Sequence, residues 1–77
     1  MNELVINALL DTLAASEVIL ITTTLQLRVR ELERRRDDSR RYAAELTQPD
    51  RQRFYQEFAD EDEREIASLT ALLAKLT

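Results

Sequence analysis

A chain of 77 residues allows one domain at most, near the size where a single core is only marginally stable without a further staple. Cys and His are both absent, which excludes disulfides and a structural zinc site of the usual nitrogen and sulfur type, and leaves oligomerisation as the staple. The net charge of −4 hides an acidic, basic, acidic order: residues 28 to 41 hold seven arginines against four acids, and residues 42 to 77 hold eight acids against four bases.

With no Gly and a single Pro, Pro49, the positive-φ positions that hairpins and bulges need have no cheap occupant. The expected class is therefore all-α. Residues 3 to about 46 contain no helix breaker, and the simplest expectation is one long helix. Its start, Leu4 to Leu32, carries more apolar side chains than one face can hold. At about 100° per residue, Leu10, Ala14, Val18, Ile21, Leu25, Val29 and Leu32 form one stripe. Ile6, Leu9, Leu13, Leu20 and Leu27 form a second, centred about 120° away. The β-branched run Val18 to Thr24 has the composition of a strand but no second strand to pair with. Asp37-Asp38-Ser39 are good N-caps and mark the expected place of any break in the long helix.

Thr47-Gln48-Pro49-Asp50 is the strongest local signal. Thr47 suits an N-cap, Asp50 completes a capping box with Asp in place of Glu, and Pro49 is tolerated in a first turn. A second helix is expected over about 48 to 76, with Phe54, Phe58, Ile66, Leu69, Leu72, Leu73 and Leu76 on its inward face. So short a connection makes the two helices antiparallel neighbours.

Counting outward from the connection, the second helix reaches back only to about residue 20, so residues 1 to 17 are expected to overhang. An exposed apolar overhang calls for a cover. The expected architecture is an antiparallel hairpin whose two protomers form a bundle with a four-helix centre. Its homodimer interface is read at Ile6, Leu9, Leu13, Leu20 and Leu27, and its tips point outward. The same counting sets Arg34, Arg35, Arg36 and Arg40 beside Asp60-Glu61-Asp62-Glu63, with Arg36 and Asp62 expected to pair across the seam and fix register.

Two charges, Asp11 and Glu17, sit in the middle of Leu4 to Leu25, and mid-membrane charges cost roughly 2.5 to 3.5 kcal/mol each, so no membrane span is expected. Met1-Asn2-Glu3 is an acidic start where a secretory signal needs a basic one, and the expected compartment is the cytoplasm. Catalysis is not expected, because there is no His, Cys or Gly-rich phosphate loop and too little chain to wall off a pocket. No cofactor is expected. Nor is a metal, because Asp60 to Glu65 is a mid-helix run without the glycine turn and backbone carbonyls of a calcium loop.

All four aromatic residues, Tyr42, Phe54, Tyr55 and Phe58, lie near the connection. Phe54 and Phe58 are read as core. Tyr42 and Tyr55 are read as lying off the inner stripes, and with Arg41 and Arg51 beside them they have the composition of a protein-binding hot spot. The expected function is a noncatalytic protein-binding module, a small dimeric regulator or inhibitor of the phage or plasmid kind that occludes a larger target. One alternative uses the Arg28 to Arg41 block to bind RNA or DNA. Its architecture, though no motif, resembles the Rop type of helical hairpin dimer. A structural subunit of a larger helical assembly is a further alternative.

Overall fold

The structure, a computed structural model, describes residues 3–77, with the side chains of Glu3, Ile6, Leu9 and Leu10 outside the description. Three helices follow one another: α1, Glu3–Thr12; α2, Ala15–Glu45; and α3, Pro49–Leu76. Helices α2 and α3 lie side by side as an antiparallel hairpin, and α1 turns back into contact with α3. The molecule measures 52 × 21 × 12 Å. Its radius of gyration of 16.4 Å exceeds the roughly 11.5 Å of a compact chain this long.

The expected helix over 3 to about 46 is broken at Leu13–Ala14, which corrects its continuity, and runs on through Asp37–Ser39, where the alternative break is not taken. Ala14 is extended, with φ −68° and ψ 154°. It has no side-chain acceptor, but its N–H donates to Glu17 Oε1 at 3.2 Å, and its carbonyl accepts from the N–H groups of Glu17 and Val18. That is the backward half of a capping box. At the other place Asp37 accepts from Arg36 Nε at 3.0 Å and Asp38 pairs with Arg41 at 3.4 Å, while tertiary contacts hold the backbone on both sides. Together these outweigh a capping preference of about 1 kcal/mol. Because α1 turns back, the expected straight overhang of residues 1 to 17 is also corrected.

The β-branched run lies inside α2, where Thr24 Oγ1 donates back to the Leu20 carbonyl at 2.8 Å. At the connection the N-cap is Gln48, not Thr47, and the expected capping box is absent. Proline supplies the reason. Pro49 stands at the start of α3, where its fixed φ suits N1 and its missing N–H costs nothing, so the cap falls on the residue before it. Gln52 ties the turn instead, its side-chain amide donating to the Leu46 carbonyl.

Counting outward from that tie reveals a seven-residue repeat along the seam. Leu25, Val29, Leu32, Arg36, Ser39 and Ala43 of α2 stand level with Leu73, Leu69, Ile66, Asp62, Ala59 and Tyr55 of α3. All twelve of these residues are buried or half-buried. Alternating steps of three and four are what keep two helices in contact over a long seam. Near the connection Ser39, Ala43 and Ala59 put small residues in the seam, and helices meeting through Ala and Ser can approach closely. Ala43, Ala59 and Asp62 are buried there, with Leu32 at the inner boundary. Phe54 and Phe58 are off the repeat and exposed, which corrects their assignment to the inward face.

Candidate functional site

The arginine block is largely matched by carboxylates. Arg28 donates to Glu31 and to Glu65 at 3.1 and 3.4 Å, and Arg40 reaches Glu63 at 3.4 Å. Arg36 and Asp62 stand level, as expected, but they do not pair. Arg36 Nη1 donates to Glu63 Oε2 at 2.8 Å, while Asp62 Oδ1 accepts from Arg35 at 3.3 Å. The geometry of the repeat explains the exchange. A long guanidinium stem leaves the seam to reach an outward acid, and a short Asp stays inside it. The hydrogen bond that Arg36 donates to Glu63, then the one it donates to Asp37, raises its guanidinium above its already high ordinary value. While both partners are ionised, this contribution to stability is complete below that ordinary value and is lost only in stronger alkali.

Asp62 is the unusual member. Its side chain is only 5 % exposed, and Oδ2 is buried without a hydrogen-bond partner among the described residues. A buried carboxylate satisfied on one oxygen is costly, and polar groups at such positions fix register more than they add stability.

At the tip, the last turns of α2 and the first turns of α3 bring the aromatic side chains together. The rings of Tyr42 and Tyr55 meet edge to face across the hairpin, 4.6 Å between centroids at 84°. Phe54 lies against Tyr55 in the same manner at 5.1 Å, and the Arg35 guanidinium sits 5.1 Å from the Phe58 centroid. The two predicted tyrosines are thus brought together, but Tyr55 is a half-buried seam residue, not a residue off the inner stripe. Arg41 is exposed and held by Asp38; Arg51, in the first turn of α3, is exposed and makes no ion pair among the described residues. Shallow depressions flank the cluster, one bounded by Asp38, Arg41, Tyr42 and Glu45, the other by Phe54, Glu57, Phe58 and Glu61.

The exposed Phe54 and Phe58 are the tip residues that the sequence reading misplaced. A signal was present. Stepping back by three and four from Leu73, Leu69 and Ile66 lands on Asp62, Ala59 and Tyr55, not on either phenylalanine.

A second apolar surface lies on the outer side of α2 in the other half of the hairpin. Leu20 is 67 % exposed and Leu27 is 58 % exposed, one repeat apart on the same face, with Ile19 exposed beside them. Leu13 is half-buried at the break between α1 and α2, so it no longer continues that line. The side chains of Ile6 and Leu9 lie outside the described residues.

Among the described residues no group of three acids is placed to hold a metal ion, and no helix is long and apolar enough to cross a membrane. No family model, curated relative or solved structure matches the chain.

Proposed function

We propose that the protein is a noncatalytic binding module. It dimerises through the outer α2 face around Leu20 and Leu27 and presents its two tips to a larger protein. The observation that carries this reading is unspent surface. The chain exposes 5809 Å², roughly 950 Å² more than a compact protein of its mass, which is about the area one partner loses in a standard interface. Large aliphatic side chains contribute to that exposure along one face of α2. Pairing two copies antiparallel over this face gives a four-helix centre and leaves both tips free, so that one assembly engages two targets or clamps a two-fold target. Occluding a larger protein, as small phage or plasmid regulators do, suits such a shape.

The nucleic-acid reading is weaker because Arg28, Arg35, Arg36, Arg40 and Arg41 all have carboxylates within ion-pair distance. Phosphate binding depends on net positive surface. The test is affinity capture from a native lysate with and without nuclease. A protein partner retained after digestion supports the proposal, and loss of every partner on digestion overturns it in favour of RNA or DNA.

A further inference from the structure

We propose that the outer edge of α3 at the tip, formed by Phe54, Glu57, Phe58 and Glu61, binds a basic, amphipathic segment of a partner protein. The proposal rests on the reading of the tip as the protein-binding end and names the chemistry of what binds there. Steps of three and four place these residues on one helical face, around a shallow depression of about 100 Å³. Phe54 is 61 % exposed although its ring packs on that of Tyr55. Glu57 and Glu61 are exposed and make no ion pair among the described residues.

The molecule already contains one copy of the contact. Arg35 lies over the Phe58 ring and donates to Asp62, so one guanidinium is held by a ring and a carboxylate together. Phe54 and Glu57 bring a ring and a carboxylate to one depression a turn closer to the connection, with no guanidinium over the Phe54 ring among the described residues. A cation over an aromatic face, steadied by an acid, is a favourable arrangement, and it gains when the partner covers it from water. Apolar side chains of the same segment would then cover Phe58 and the edge of Tyr42, which is also exposed.

Charge selects the occupant. Unpaired acids repel nucleic acid, anionic lipid and acidic peptides. A second copy docked two-fold on this face would set Glu57 and Glu61 against their own counterparts, which is unfavourable. A helix or strand rich in Arg or Lys with interspersed apolar residues is complementary in both respects.

The test is anisotropy titration with a labelled synthetic Leu–Arg amphipathic peptide, beside a Leu–Glu peptide of the same pattern. The proposal expects salt-sensitive binding of the Leu–Arg peptide only. Phe54→Ala should weaken it about tenfold or more, as loss of an interface anchor does. The double variant Glu57→Gln with Glu61→Gln, exposed and conservative enough to keep the fold, should weaken it by about fivefold or more and flatten the salt dependence. No binding of the Leu–Arg peptide, or binding unaffected by the acid variant, overturns the proposal. Binding of the Leu–Glu peptide that Phe54→Ala abolishes also overturns it, yet leaves the tip as the binding end. Leu–Arg binding that neither variant changes removes the tip itself. A fall in oligomeric mass on Phe54→Ala would make this face a contact between copies, which also contradicts the proposal.

Discussion

The two halves of the hairpin share one seven-residue repeat and bury it to different extents. Near the connection the seam is made of Ser39, Ala43 and Ala59 with the Arg36 and Asp62 layer, and the helices enclose both alanines and Asp62. Toward the chain ends it is made of Leu25, Val29, Ile66, Leu69 and Leu73, and every one of these is only half-buried. The more hydrophobic half is the less buried half. Two helices alone leave a row of large aliphatic side chains half covered, with Leu32 at the boundary the exception, whereas two helices meeting through small residues can close over them. Burial here follows the distance of approach more than hydrophobicity, and it marks the open half as the place where a cover is missing.

The largest effect should come from Leu32→Ala, at the boundary between the halves. Leu32 is fully buried, and its truncation should cost about 3 kcal/mol in urea unfolding. Leu25→Ala sharpens the contrast. In an isolated hairpin a half-buried leucine should cost about 1 kcal/mol, but if a second copy covers the open half the cost should approach that of Leu32→Ala and depend on protein concentration. A small cost independent of concentration would mean that the open half stays open.

Next in size is the buried carboxylate of the closed half. Arg35→Met leaves Asp62 buried with neither oxygen paired and should destabilise by about 2 kcal/mol. Asp62→Leu removes the orphaned oxygen together with the charge and should stay within about 1 kcal/mol of the parent. Equal costs for the two would show that Asp62 is satisfied by something other than Arg35. The smallest effect should be that of Tyr42→Ala, which forfeits an edge-to-face contact with Tyr55 worth about 1 kcal/mol. No change in melting temperature would mean that the rings do not meet in solution.

Much of the hairpin was legible in the sequence. Absence of glycine pointed to an all-helical chain, Pro49 located the connection, and the stretch Leu25 to Leu32 of the expected apolar stripe became part of the seam, while Ile21 on the same stripe is exposed. The break at Leu13–Ala14 was harder to read because Ala14 carries no capping side chain, and the signal lay three residues later in Glu17. At Asp37-Asp38-Ser39 a local capping preference is overruled by the tertiary contacts around it, and α2 is continuous there. At the tip, two phenylalanines were assigned to the core on hydrophobicity, although the spacing of the leucines behind them gives the inward positions to Tyr55 and Ala59. Phase decided where residue type misled. The exchange of partners between Arg35, Arg36, Asp62 and Glu63 turned on side-chain length, which a count of residues along two helices does not contain.

In the proposed assembly a second copy of the chain closes the open half. Size exclusion coupled to light scattering at micromolar concentration tests it directly. The expected mass is twice the 9.0 kDa of the chain, falling toward 9.0 kDa, with loss of helicity or without it, when Leu20→Asp buries a carboxylate in the contact. A parent protein that is fully helical and elutes at 9.0 kDa would contradict it.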